Sequence, residues 1–345
     1  MLTLAAQGLR DPASLRWLDP PSPAGQSQAR ELLEQLRALD ATGTITQHGR
    51  AMAALPVHPR LAHMLLRARE LEAVGVAADL AALLEERDLL RGVGMPPDAD
   101  VRLRLELLRE RSIPSSWRGY PVSREGVHRV RAESAQLRRM VRGRSAEGDV
   151  ESAGLLLAFA YPDRIAQARG SAGRFLLRNG RGAGLAPGQS LAYEAWIVAA
   201  EVDDAGADSK ILLAAPLEES ILEAHFGEQI RIEEVIAWDA SSGAVLARRR
   251  AQLGALVLSD AAVRDPDPES IRLALLDALR AEGADALPWS DASRRLQQRM
   301  LFLRRLNPDW PDVSDTALMA HIDAWLGPRL AGRSEEHTSE LQSPI

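Results

Sequence analysis

The chain has 345 residues, 46% of them apolar and 26% charged, with a formal net charge of −6. This is the composition of a globular protein long enough for about two to four domains. The absence of cysteine excludes disulfides, thiolate metal sites, iron–sulfur clusters and thiol catalysis. No apolar run reaches the roughly 18 residues that a membrane helix needs, and Met1 to Arg10 lacks the basic start and long apolar stretch of a secretory signal. The expected compartment is the cytoplasm, with no membrane partner.

The first leucine-rich segment stops at Asp19-Pro20-Pro21-Ser22-Pro23, because stacked prolines forbid helix continuation. From Ser27 to Leu39 the apolar residues Ala29, Leu32, Leu33, Leu36 and Leu39 share one helical face. Gly43 to Gly49 reads as a short β-type stretch, and another apolar helix runs from about Arg50 to Leu55. Helix, short strand, helix predicts a winged-helix module over 1–58. Beyond Pro59, helical spacing recurs through Leu61, Met64, Leu65, Ala68 and Leu71, then through Leu80, Leu83 and Leu84, then through Leu103, Leu107 and Leu108. A fourth helix is predicted from about Gly126 to Arg142, with Val127, Val130, Leu137 and Val141 as a narrow apolar stripe. These predict a helical bundle over 59–150.

From about Glu151 the apolar runs shorten. Leu176-Leu177, Leu191 to Ala200, Ile211 to Ala215 and Ile230 to Ala237 read as strands, and Trp238 to Arg248 has a hairpin turn at its centre. A small antiparallel barrel of the oligonucleotide-binding (OB) kind is expected over 151–250. Helical patterning returns from roughly Asp265, giving a mixed, mainly helical C-terminal domain over 251–332. The fold class is thus α+β and multidomain. Residues 333–345 include RSEEHTSELQSP, the in-frame translation of a common short-read sequencing adapter. They are expected to be an artefact or a disordered tail outside the fold, the natural protein continuing past Gly332.

No catalytic site is visible. A phosphate-binding Walker A loop needs a lysine followed by serine or threonine, whereas the sole lysine, Lys210, precedes Ile211. The glycine cluster from Gly180 to Leu185 fails the dinucleotide fingerprint and reads as a loop between strands. His58 and His63 lie five apart without the helical two-histidine-plus-glutamate arrangement of a zinc peptidase, so they read as structural and no metal is expected. Neither a nucleophile elbow nor a Ser-x-x-Lys pair occurs.

Charge is the remaining signal. Between Arg102 and Arg144 the chain holds twelve arginines against four acids. Arg124, Arg129, Arg131, Arg138, Arg139 and Arg142 fall on or beside the predicted fourth helix. A second stretch, Arg164, Arg169, Arg174, Arg178 and Arg181, contains no acid from its first arginine to its last and lies near Tyr161 and Phe175. Basic grooves with aromatic faces are how barrels hold single strands, each base stack contributing about 1–3 kcal/mol. These eleven arginines are the candidate phosphate contacts. The competing reading is an ordinary solvated basic surface with Phe175 in the core.

Leu36-Arg37-Ala38-Leu39-Asp40, Thr46-Gln47-His48-Gly49-Arg50 and Leu55-Pro56-Val57-His58-Pro59-Arg60-Leu61-Ala62-His63-Met64-Leu65 resemble the helicase-associated region of DEAH-box helicases. Leu157 to Ala166 and Asn179-Gly180-Arg181-Gly182-Ala183 resemble the barrel of the bacterial HrpB type. Leu287-Pro288-Trp289-Ser290, Trp310-Pro311-Asp312 and Trp325-Leu326 are similar to the extra C-terminal domain of that type. The resemblance covers residues 1 to about 332 and implies a ratchet-like bundle after the winged helix. It further implies a post-motor region that binds single-stranded RNA or DNA, and RecA-like motor domains of the same protein as its partner. ATP and magnesium are implied for those motor domains alone, so this region should hold no cofactor and be inactive by itself. The alternative is a protein–protein docking scaffold without direct nucleic-acid contact.

Overall fold

The computed structural model describes residues 1–9, 11–12, 15–92, 94–141, 148–203, 209–239, 241–242 and 244–330. They form two compact units, Met1–Gln229 with Gly254–Leu256, and Ile230–Leu253 with the residues from Val257 onward.

The first unit opens with α1 (Leu2–Ala6), α2 (Pro23–Gln35) and α3 (Gln47–Ala53). Helix α2 starts where the prolines end: Pro23 is tolerated in its first turn, and the Ser22 side chain accepts from Gly25 N. It stops four residues before Leu39, the end predicted from periodicity, because Arg37 takes a left-handed conformation at φ 54°. Leu36 and Leu39 are nevertheless buried with Leu2, Leu33, Ile45 and Met52, since the turn after α2 folds them back onto the same core. Instead of a β stretch, a single antiparallel bridge joins Leu39 to Ile45. Thr46 then caps α3 by accepting from Gly49 N. Gly49 lies so close to α2's outgoing turn that a Cβ there would sit 2.2 Å from the Ala38 carbonyl oxygen.

The bundle comprises α4 (Pro59–Glu70), α5 (Val74–Leu84), α6 (Arg102–Arg109), a small strand pair β1 (Ser116–Trp117) and β2 (Tyr120–Pro121), then α7 (Arg124–Val141) and α8 (Ala153–Ala160). The buried stripe of α7 contains Val127, Val130, Leu137 and Val141, as its spacing predicts, with Gly126 and Ser134 added. Helices α5 and α8 differ in kind. Every residue of α8 is buried, the mark of an element wrapped on all sides. It packs on α4 and α5, and also on two strands of the barrel that follows.

That barrel consists of β3 (Ile165–Ala168), β4 (Arg174–Leu177), β5 (Gly182–Gly184), β6 (Trp196–Asp203) and β7 (Ser209–Pro216). Its closed order is β3-β4-β5-β7-β6, antiparallel except for β5 with β7, around Ala166, Phe175, Leu177, Ile197 and Ile211. Five strands so closed fit the OB-like class. Helix α8 reaches the barrel so tightly that a Cβ at Gly154 would fall 1.9 Å from the Pro216 carbonyl oxygen. The unit continues through α9 (Glu219–Phe226).

The second unit contains β8 (Arg231–Asp239), β9 (Ala244–Leu253) and β10 (Leu256–Ala262), a three-stranded sheet in the order β10-β9-β8. Sequence patterning places its hairpin in the barrel over 151–250. Pairing of β3 with β6 closes the barrel without these strands, leaving them no barrel edge to join, and β9 is paired along both sides within its own sheet. Helices α10 (Pro268–Glu282), α11 (Asp291–Leu306), α12 (Asp315–Ala320), α13 (Ile322–Trp325) and α14 (Gly327–Leu330) complete the unit. Val245, Leu275, Leu276, Ile322, Leu326 and Leu330 form its core. Residues 333–345 lie outside the described residues. No described helix is long and apolar enough to cross a membrane.

Candidate nucleic-acid interface

The arginines of α7 have unequal roles. Arg129 is held between Glu86 (Nε–Oε2 2.6 Å) and Glu125 (2.6 Å), and the carboxyl of Glu86 is pulled below its ordinary pKa chiefly by the hydrogen bond from Arg129. Arg131 donates from Nε to the Leu108 carbonyl (3.1 Å) and from Nη2 to that of Glu110 (2.6 Å), satisfying acceptors that the end of α6 leaves unpaired. Arg138 donates from Nη2 to the buried Asp79 carboxylate (2.7 Å), which also accepts from Ser134 Oγ (2.5 Å). Arg124 and Arg139 are exposed. Arg142 lies outside the described residues. The formal charge of this segment therefore exceeds what faces solvent.

The barrel arginines, grouped within one short stretch of sequence, divide between the two ends of β4. At one end Arg164 donates to the Ala200 carbonyl (2.7 Å) and lies over the Tyr161 ring at 5.0 Å, with Arg60 at 5.1 Å from the same ring. Burial raises the pKa of Tyr161. Arg178 donates from Nη2 to Gln229 (2.9 Å), while its buried Nη1 has no partner among the described residues, and desolvation lowers its pKa. Arg181 is exposed across the β4–β5 turn, where Leu177 N donates to its carbonyl (2.8 Å). Neither aromatic singled out by sequence is an open platform: Tyr161 is half-buried beneath guanidiniums and Phe175, only 2% exposed, belongs to the barrel core.

The other end of β4 has a charged row, basic from β3 to β7 and acidic at β6. Arg169 and Arg174 face each other across the β3–β4 turn, with Arg169 N donating to the Arg174 carbonyl (2.9 Å). Register then carries Arg174 to Gly184 on β5, Gly184 to Lys210 on β7, and Lys210 to Asp203 on β6. Paired residues on neighbouring strands present side chains to the same face, and Arg169, Arg174 and Lys210 are all exposed. Gly184 contributes no side chain between them, and Arg174 leans over it: a Cβ on Gly184 would meet Arg174 Nη1 at 3.2 Å. Beside the row Gly173 N donates to the Ala192 carbonyl (2.8 Å), which brings the next residue, Tyr193, alongside; it is 89% exposed. Sequence reasoning missed Lys210 and Tyr193. The alternation of buried Ser209, Ile211 and Leu213 with exposed Lys210 and Leu212 was the available signal for Lys210. Tyr193, in a short 3-10 turn, had none.

His58 and His63 each have a partner within the fold. His58 caps α4, its Nδ1 accepting from Arg60 N at 3.3 Å. His63 is buried with its Nδ1 2.7 Å from His48 Nε2 and its ring edge-on to Phe159. Burial, reinforced by His48 and Arg67, lowers its pKa to about 3. No cluster of potential metal ligands occurs among the described residues.

Two family models match the chain: the winged-helix part of the helicase-associated domain (HA2) over residues 29–57, and the connector region of ATP-dependent RNA helicase HrpB over 229–262. The second covers the whole of the sheet β8–β10. ATP-dependent RNA helicase HrpB from Escherichia coli is 31% identical over 339 residues, 96% of this chain. The chain is of the HrpB type. It corresponds to the C-terminal, helicase-associated region of HrpB-type DEAH-box helicases and spans 38% of the E. coli protein's length. The crystal structure of E. coli DExH-box NTPase HrpB aligns with 99% of this chain and 40% of its own, at 29% identity and a TM-score of 0.65. A second crystal structure, of E. coli DEAH/RHA helicase HrpB, aligns with all of this chain and 41% of its own, at 28% identity and a TM-score of 0.63.

Proposed function

We propose that this HrpB-type region guides single-stranded RNA or DNA for RecA-like motor domains of the same protein, which would supply ATP and magnesium chemistry. The observation that carries this reading is the row Arg169–Arg174–Gly184–Lys210 beside exposed Tyr193. It combines phosphate-neutralising charge with one stacking face, at the barrel end bearing the β3–β4 turn. Barrels of this class use their second and third strands and adjoining loops for oligonucleotides. Exposed Arg124 and Arg139 on α7, and exposed Arg181 across the β4–β5 turn, would extend the path. Titration of the purified chain with a fluorescent single-stranded oligonucleotide tests the reading. Binding that weakens in a Tyr193→Ala, Arg174→Gln double variant supports it; undetectable binding at low ionic strength refutes it.

A second reading, docking to protein, is favoured by α11. Its exposed side bears Leu296 (57% exposed), Phe302 (60%) and Leu306 (70%), interleaved with Arg295 and Arg299. Pull-down from lysate with and without nuclease separates the two, because capture bridged by nucleic acid vanishes on digestion.

A further inference from the structure

A cavity lined by charged groups lies within the bundle, away from the barrel row. It occupies about 260 Å³ and is lined by Asp79, Leu108, Arg109, Arg131, Ser134, Ala135 and Arg138, from α5, α6 and α7. Three guanidiniums therefore surround one carboxylate. Asp79 is already neutralised locally, accepting from Arg138 Nη2 at 2.7 Å and from Ser134 Oγ at 2.5 Å.

The arginines cannot swing away. Arg131 is fixed by bonds from Nε and Nη2 to the α6 carbonyl end, and Arg138 by bonds from Nη2 to Asp79 and Nε to Ser134. Arg109 is tied through Nη2 to the Gly148 carbonyl at 2.7 Å. Arg131 and Arg138 stand seven residues apart, two helical turns on one face of α7, and the Nη1 of each donates to no described group. Those two edges, preset by hydrogen bonds made elsewhere, border a cavity in which Arg131 and Arg138 together outnumber the single carboxylate of the described lining, Asp79. Guanidinium edges match the oxygens of a phosphoryl group better than any neutral ligand.

We infer that the α5–α6–α7 cavity is a phosphoryl-binding site, taking either a free phosphate or nucleotide phosphate or one phosphate of a nucleic-acid strand. The barrel row is not part of it, so either site can fail without the other.

Exposed Ala135 lines the cavity without making any of its bonds, so Ala135→Glu introduces a carboxylate while leaving every arginine in place. In thermal denaturation of the purified chain, inorganic phosphate should raise the midpoint saturably, beyond potassium chloride of equal ionic strength. Ala135→Glu should weaken the apparent affinity at least about tenfold, whereas neutral Ala135→Gln should keep most of it. Phosphate-31 line broadening on the same proteins gives a reading that does not depend on stability. Absence of a saturable phosphate effect, or an effect unchanged in Ala135→Glu, overturns the inference. Single-stranded RNA added as competitor then distinguishes the sources. Displacement of phosphate by RNA assigns the site to a strand, and its failure to displace assigns it to a free phosphoryl compound.

Discussion

Arg60, at the start of α4, closes a two-point ion pair on Asp163, just after α8: Nη1 lies 2.6 Å from Oδ1 and Nη2 3.2 Å from Oδ2. The same guanidinium donates to the Ala160 carbonyl at 3.0 Å and covers the Tyr161 ring, so one side chain ties the bundle to the approach of the barrel. Both partners are largely shielded, with side-chain exposures of 13% and 25%. Asp163→Asn removes the charge but keeps the shape, and should destabilise the chain by about 2–3 kcal/mol. Arg60→Lys should cost a similar amount, because an ammonium cannot span both oxygens. Urea denaturation checks both; losses of surface-pair size would show that the contact is dispensable.

Gly154 offers a sharper test of the join. A methyl group there would meet a backbone oxygen, which cannot rotate aside as a side chain can. Gly154→Ala should therefore cost about 3 kcal/mol or more despite alanine's better helix propensity. A stabilised variant would mean that α8 does not press on β7 as described.

His63 makes stability depend on pH. Its folded pKa of about 3 lies below the ordinary 6.5, so the neutral ring is favoured by folding. The contribution is intact above pH 6.5 and declines as pH falls toward 3, where the unfolded chain takes up a proton that the folded chain refuses. For this group alone the loss between pH 7 and 5 should be about 2 kcal/mol. His48, His58 and His225 are shifted in the same direction, mainly by burial, and add to it. Denaturant midpoints at the two pH values should converge partly in His63→Gln, and an unchanged difference would locate the sensitivity elsewhere.

Strand binding should depend on salt to a limited degree. If Arg169, Arg174, Arg181 and Lys210 each engage a phosphate, log K should fall against log salt with a slope of about −3. Tyr193→Ala should weaken binding by about 1–3 kcal/mol with the slope preserved, since stacking releases no counterions. Lys210→Gln should reduce the slope with little effect on stability. A slope unchanged by the lysine substitution would remove β7 from the interface.

Periodicity was sufficient where an element buries one face. The α7 stripe was legible because its valines and leucine recur at helical spacing, and the strands holding Leu176 and Ile211 because apolar residues alternate or cluster briefly between turns. It failed for Leu36 and Leu39, which stay on the core side although the helix has ended, so burial persisted while conformation changed. The hairpin β8–β9 was recognisable as a hairpin but not as a separate sheet, since local alternation carries no information on which edge a strand joins. The candidate site was less legible still. Charge along the chain identified arginines but not their partners, and an intramolecular acceptor such as Asp79 lies 59 residues from Arg138. The row through Gly184 exists only after β5 and β7 pair, residues far apart in sequence becoming neighbours by register.

Helix α8 limits how such proteins can be recombined. With no wet side of its own, it cannot be inherited by the bundle or the barrel alone. A chimera joined near residue 150 would give one parent's bundle a helix shaped for another parent's bundle, and both cores would have to be repacked together. Exchanges that keep the winged helix, bundle and barrel from one source avoid that conflict. In selection, substitutions at Gly154, Pro216 and the α8 leucines should therefore rise and fall as a group, whereas the exposed row across β4, β5 and β7 answers to what it binds and not to this shared packing.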